Sequence, residues 1–241
     1  MNHLICILLL SIGLLSCNEK GSNSFQTVQK RTAPLGIDGF DEEPDWLTAE
    51  WRPIDQLWLG TVKDTNDFQG RYKMIWDEGA LFVFAEIKDD ILLDIHSDPL
   101  ERYWDDDCLE IFVDEDHSGG NHQYNHNAFA YHIALDGNVV DIGTDSLPHI
   151  YNEHIIHKIR QEGKMSYYEC MIKLFSDNYR DDTENKAIKL SRNKALGFAI
   201  AYCDNDSSSE REAFIGSVPI EGEDKNRGWI DAGIFDSYIL E

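Results

Sequence analysis

Two tryptophans stand in polar surroundings. Trp104 is followed by Asp105-Asp106-Asp107, and Trp229 closes the run Lys225-Asn226-Arg227-Gly228. A large flat indole among hydrophilic neighbours marks a binding surface more often than a core position. Sugar recognition suits these residue types. A sugar ring has apolar C–H faces that an indole covers, and hydroxyl edges that Asp, Glu, Asn and Arg hydrogen-bond. Trp46, Trp51, Trp58 and Trp76 lie nearer apolar runs and read as core. Glu110 interrupts an apolar run, between Leu109 and Ile111. Strand alternation allows it to face solvent, or to be buried with partners, since an unpaired buried charge is costly. In 129–135 the same alternation sets Phe129, Tyr131, Ile133 and Leu135 on one face and Ala130, His132 and Ala134 on the other. Small residues beside His132 leave room above a sheet, either for a ligand or for close packing of a second layer.

Other chemistries have weaker signatures. His117, His122 and His126 share one Gly/Asn-rich loop, and His149, His154 and His157 share another. The His122–His126 spacing would put two metal ligands on one helical face, but Gly119-Gly120 opposes a helix and no HExxH occurs. These histidines read as surface residues. Asp114-x-Asp116-x-Ser118-Gly119 opens like a calcium loop. Its twelfth position is Asn125 rather than Glu, so Asp114 and Asp116 are weak calcium candidates and an Asp-rich turn explains them as well. No GxSxG, P-loop or GxGxxG pattern is present, so no catalytic residue is assigned. No cofactor is required, with calcium as an optional structural ion.

The elements that must position these residues are strands. Arg71–Trp76 and Leu81–Ile87 flank Asp77-Glu78-Gly79-Ala80 and read as a hairpin; Phe129–Leu135 and Val139–Ile142 flank Asp136-Gly137-Asn138 and read as a second. Leu109–Val113, Tyr167–Phe175, Leu196–Tyr202 and Ala213–Ile215 are further short apolar runs. No stretch keeps a helical apolar period over three turns, although 176–193 has room for a short helix. The expected fold is all-β: an antiparallel β-sandwich, immunoglobulin-like or jelly-roll in type, with long loops.

Composition bounds the partners and the compartment. The 241 residues carry 21 Lys and Arg against 45 Asp and Glu, a formal charge of −24. Nucleic acid is excluded as a partner, because neutralising phosphates needs a basic surface. A basic face adhering to anionic lipid is disfavoured on the same ground. Leu4–Leu15 is an apolar run too short to span a bilayer but suited to a signal peptide. It ends in Leu14-Leu15-Ser16-Cys17, which resembles a bacterial lipobox, although Asn2-His3 lacks the usual positive charge. The expected organisation is a leader over 1–16, a lipidated Cys17 with a polar tether over 17–32, and one domain over 33–241. The protein would then sit in the cell envelope, outside the cytoplasm, with the lipid as its only membrane contact. Cys108, Cys170 and Cys203 remain in the domain; three is odd, so no full disulfide framework exists. All three read as buried thiols, and one pair has the option of a bridge.

In order along Ile37–Leu240, the residues resemble the family 9 carbohydrate-binding modules. The resemblance begins with Ile37-Asp38-Gly39, Asp41, Trp46 and Ala49, and continues with Trp76-Asp77 and Leu81-Phe82-Val83 through Lys88-Asp89. Its clearest block is Trp104-Asp105-Asp106-Asp107-Cys108-Leu109-Glu110-Ile111-Phe112-Val113-Asp114. Tyr168-Glu169-Cys170-Met171-Ile172, Gly197-Phe198, Asp204, Trp229 and Phe235 complete it. The resemblance implies a β-sandwich with a non-catalytic sugar site, a mono- or oligosaccharide or a polysaccharide end as ligand, and structural calcium. It implies that Trp104 and Trp229 sandwich a sugar ring, with Glu110, Arg211 and Asn226 holding hydroxyls. His132 stands where the family carries an Arg, and Ala201 where it carries an amide. Two other functions compete: a metal- or carboxylate-dependent glycan hydrolase using the histidine loops, and a haem-binding redox module, since distant relatives of this sandwich carry haem. Met74, Met165 and Met171, with several histidines, are candidate haem ligands.

Overall fold

Asp77 folds the chain back on itself. Its Oδ1 accepts from the backbone N–H of Gly79 and Ala80 at 2.7 and 3.0 Å, and the flanking runs pair antiparallel, from Phe68 opposite Asp89 to Trp76 opposite Leu81. The computed structural model describes residues 25–241; the expected leader and Cys17 lie outside the described residues. In chain order the elements are β1 (Gln26–Lys30), α1 (Pro44–Thr48), β2 (Arg52–Ile54), β3 (Gln56–Gly60), β4 (Phe68–Trp76), β5 (Leu81–Asp89), β6 (Cys108–Asp114) and β7 (Phe129–Ala134). They continue with β8 (Val139–Ile142), β9 (Pro148–Ile150), β10 (Ile155–Glu162), β11 (Met165–Ile172), β12 (Ala195–Asp204), β13 (Ala213–Gly216), a 3-10 turn (Ala232–Ile234) and β14 (Asp236–Leu240).

The strands form the two layers of a sandwich. One layer runs β10-β11-β5-β4, with β2 on part of the free edge of β4. The other runs β9-β8-β7-β6-β12-β14, with β13 and β3 beyond the far end of β12. β1 joins them: Gln26–Val28 pairs with Tyr238–Leu240 of β14, and Gln29 and Lys30 pair with Ile75 and Trp76 of β4. Both pairings are parallel, the exceptions in an otherwise antiparallel fold. Residues 26–30 are therefore strand rather than tether, and the folded unit begins earlier than residue 33. The stretch 176–193 forms turns and extended chain, not a helix.

Alternation sorts the side chains into layers. Leu109, Ile111 and Val113 of β6 join Phe129, Tyr131, Ile133, Phe198 and Ile200 against Val83, Ile87, Tyr168 and Cys170 of the opposite sheet. The other face of β6, β7 and β12 is also covered. Cys108, Phe112, Ala130, Ala199, Ala201 and Cys203 pack with Trp58, Phe214, Val218, Ile220 and Phe235. A strand buried on both faces cannot send a charge to bulk solvent, and this settles the two positions open to Glu110: it is buried, with 2% of its surface exposed. Trp46, Trp58 and Trp76 are core, as their apolar neighbourhoods indicate.

Candidate functional site

Register brings the first site residues together. Glu110 on β6 lies opposite His132 on β7 and opposite Ala201 on β12. Ala130, Ala201 and Gly216 place little bulk on this face, and Trp58 closes the space above Gly216. Three donors converge on one carboxylate oxygen, Glu110 Oε1: His132 Nε2 at 2.9 Å, Cys203 Sγ at 3.0 Å and Arg211 at 3.3 Å. Among the described residues no donor reaches Oε2, which leaves it available to a ligand hydroxyl. Burial alone would raise the Glu110 carboxyl; the charges and hydrogen bonds of His132 and Arg211 hold it below the ordinary range. Both ring nitrogens of His132 face acceptors, Nδ1 the Ala130 carbonyl at 3.1 Å and Nε2 Glu110 at 2.9 Å.

Arg211 links this floor to the rim. Its guanidinium lies over the Phe214 ring at 4.1 Å and donates to Asn226 Oδ1 at 2.9 Å. The three aspartates after Trp104 act as loop anchors. Asp105 Oδ1 accepts from the Arg211 backbone, Asp106 from the Ile95 and His96 backbones, and Asp107 from the Leu93 and Asn205 backbones. Asn205 ties the loop again through its amide to the Asp105 carbonyl at 2.7 Å. Trp104 and Arg211 are thus set by the same network. Trp104 is 39% exposed, and the Tyr103 ring stands edge-on to both Trp104 and His132 at 4.9 and 4.7 Å.

The Trp229 wall is held by a histidine that reads as a surface residue in the sequence. His122 is buried; Nε2 meets the Gly228 carbonyl at 2.8 Å and its backbone N–H donates to the Ile230 carbonyl at 2.8 Å. His126 and His154 are buried as well, against Asp181 and against Tyr131 and Tyr179. The surface reading fails for these three because each ring is buried with at least one nitrogen on an internal partner. Tyr124, beside Trp229 at 6.3 Å, holds φ at 58°, a strained value for a bulky residue.

Trp104, Glu110, His132, Arg211, Asn226 and Trp229 all line one cavity of about 260 Å³. Tyr103, Phe112, Tyr124, Asp141 and Phe214 also line it and were not selected from the sequence, and His122, weighed there only as a metal ligand, joins them. Asp141 accepts from the Ala130 and Ile142 backbones, one on each oxygen, and burial pushes its carboxyl up to about 6.

Carboxylates that could hold a cation lie elsewhere. Asp114 and Asp116 accept from the backbones of their own turn, at Asp116, Gly119 and Ser118. Asp89, Asp204 and Asp206 instead bring carboxylate oxygens within 4.8 Å of one another, and Asp206 Oδ1 is buried without a partner. An all-oxygen set with an orphaned acceptor has the donor chemistry of a calcium site, although the Lys63 ammonium already takes Asp206 Oδ2 at 2.7 Å.

Comparison with known proteins bears on the family and the fold. The chain is 24% identical over 225 residues to endo-1,4-beta-xylanase A of Thermotoga neapolitana, covering 91% of this chain and 18% of that enzyme. It therefore spans less than a fifth of that relative's length. A family 9 carbohydrate binding module from Caldicellulosiruptor kristjanssonii in complex with cellotriose has the same fold, with a TM-score of 0.65 at 19% identity over 90% of this chain and 94% of that one. The module from that organism in complex with glucose gives a TM-score of 0.64 at 19% identity, over 90% and 96%. The model of the carbohydrate family 9 binding domain-like family matches residues 37–241, and the chain belongs to that family.

Proposed function

We propose that this protein binds carbohydrate without transforming it, taking one or two sugar rings, free or at a chain end, into the cavity beneath Trp104 and Trp229. The observation that carries this reading is convergence. Six residues chosen from sequence, spread over more than a hundred positions, line a single cavity. In this reading the two indoles cover ring faces. Glu110 Oε2 and the Asn226 amide take hydroxyls, while Arg211 and His132 keep the carboxylate charged and aimed. A cavity of about 260 Å³ lies just below the ~300–1,000 Å³ of sites for drug-sized ligands, which favours a short ligand over a long internal stretch of polymer. Each neutral hydrogen bond adds only about 0.5–1.5 kcal/mol, so affinity is modest and stacking dominates it.

The carboxylates argue for binding over hydrolysis. Glu110 is tied to Arg211, His132 and Cys203 on one oxygen, and both Asp141 oxygens are occupied by backbone donors. Neither is placed to hand a proton to a glycosidic oxygen. A calcium ion, if carried, would be held by Asp89, Asp204 and Asp206 and would brace the loops after β5 and β12. A lipid on Cys17 would hold the domain at the cell envelope. The test is titration of the purified full chain against glucose, xylose, cellotriose and soluble polysaccharides. Saturable binding to at least one is expected; a folded chain that binds none refutes the proposal.

A further inference from the structure

Beneath the cavity, Cys203 and Cys108 face each other across the β12–β6 ladder, directly in register. Opposed residues of an antiparallel pair have Cα atoms about 4.5–5.5 Å apart, inside the about 4.4–6.8 Å that a disulfide requires. Their sulfurs and a Glu110 oxygen lie within 4.8 Å of one another. The Cys203 thiol donates to Glu110 Oε1 at 3.0 Å, and Arg211 donates to Cys203 Sγ at 3.2 Å. The Cys108 sulfur stands within 4.8 Å of the Cys203 sulfur. An attacking sulfur, a proton acceptor, a cation to steady the thiolate and a second thiol in line are therefore already assembled. Cys170, by contrast, is alone in the main core.

We propose that Cys108 and Cys203 form a reversible disulfide under peroxide, and that this cross-link loosens the ligand cavity above it. Cys203 attacks one peroxide oxygen: the S–O bond forms, the O–O bond breaks, and the thiol proton passes through Glu110 to the departing hydroxide, giving water and a sulfenic acid. Cys108 then attacks the Cys203 sulfur. The S–S bond forms, the S–O bond breaks, and hydroxide leaves with the Cys108 proton as a second water. Two thiols and one peroxide become one disulfide and two waters; sulfur loses the two electrons that oxygen gains. Burial pushes both thiols up and Arg211 pulls them down, so the Cys203 proton leaves in the same step as the S–O bond forms, with Glu110 Oε1 as its path at 3.0 Å. In this proposal peroxide enters past Arg211, which is 12% exposed, lines the cavity and donates to Cys203 Sγ. The same guanidinium argues against a metal on this cluster, because it puts a positive charge within 3.3 Å of two of the three ligand atoms.

Oxidation removes one of the three donors on Glu110 Oε1, the residue that aims the other partners. The coupling to ligand rests on the carbohydrate-binding reading; the disulfide does not. The full chain is treated with hydrogen peroxide, alkylated under denaturing conditions, and read by intact mass and non-reducing peptide mapping. The expected product is two hydrogens lighter, links the Cys108 and Cys203 peptides, and reverts with dithiothreitol. Cys108→Ala is expected to stop at a Cys203 sulfenic acid that dimedone traps. Full alkylation of both thiols after treatment, or a bridge only through Cys170, overturns the proposal. With any sugar that binds the reduced chain, oxidation is expected to weaken affinity about tenfold in wild type and not in Cys108→Ala. Equal affinity in a chain shown by mass to be cross-linked overturns the coupling and leaves the disulfide standing.

Discussion

Glu110 carries the heaviest load of any single residue in the cavity. Three donors meet on its Oε1, and its charge is the counterweight to Arg211. Glu110→Gln keeps the shape and removes the charge, leaving a guanidinium that is only 12% exposed without its counter-charge. Removing one partner of a buried pair costs about 3–5 kcal/mol. Urea denaturation at neutral pH should show a loss of that order, and wild-type stability in the variant would mean the pair contributes nothing. The pH sign follows from the lowered Glu110 carboxyl: its contribution is present above 4.5 and is lost as pH falls through the folded value, so the gap between the two proteins should close in acid. At this scale the sequence is readable where a residue breaks its local pattern. Trp104 and Trp229 are aromatic among polar neighbours, and Glu110 is charged among aliphatics. Tyr103 and Phe214 look like ordinary core residues, and their roles follow only from the neighbours the fold supplies. His122 sits among Asn and Gly, where nothing signals that the Gly228 carbonyl arrives to bury it.

At the scale of elements, one buried carboxylate fastens the chain's early segment to the sheet. Glu169 on β11 accepts from the Asp38 and Gly39 backbones at 2.8 and 2.9 Å and from the Trp46 indole at 2.9 Å. Burial raises its carboxyl, and these three donors work against that. Hydrogen bonds to charged groups contribute about 1.5–3 kcal/mol each, and they are not additive. Glu169→Ala should therefore cost roughly 3 kcal/mol and speed amide exchange over 37–49 far more than in β6. Uniform exchange across the chain would show that this segment is not a separable clasp. His122→Ala is the matching test for the Trp229 wall: sugar affinity should fall several-fold with little change in melting temperature, and unchanged affinity would mean the wall stands without it. The central hairpins are legible because β4, β5 and β7 combine apolar alternation with Asp/Gly turns. β1 is not legible: Gln26-Thr27-Val28-Gln29-Lys30 buries only Val28, and it is a strand because two sheets each offer it an edge. In 176–193 the apolar positions Tyr179, Ala187, Ile188 and Leu190 pack on the main core from extended chain, a solution that local pattern does not distinguish from a short helix.

Across the whole molecule, the acidic excess gathers where the loops after β5 and β12 meet. Burial and neighbouring carboxylates push Asp89 up to about 6 and Asp204 up to about 7. A carboxyl raised on folding stabilises the fold most while protonated, so this contribution is present below 3.8 and is lost as pH rises through about 6 and 7. Calcium bound by these oxygens would offset that loss where they are ionised. The expected outcome is a calcium-dependent rise in melting temperature at pH 8 that vanishes at pH 4.5 and in Asp204→Asn. No rise at pH 8 would show that the cluster holds no calcium. The sandwich itself is legible from composition and strand spacing, whereas the acidic cluster is not, because Asp89, Asp204 and Asp206 meet only after β5 and β12 are folded.

The most direct measurement is a calorimetric titration of cellotriose into wild type and into the Trp104→Ala/Trp229→Ala double variant, with melting temperatures taken alongside. Trp104 is 39% exposed and Trp229 half-buried at the rim, so their removal should leave the fold intact. Wild type is expected to bind, and the double variant to lose binding at least a hundredfold at an unchanged melting temperature. Equal binding by the two proteins would contradict the placement of the sugar between these indoles.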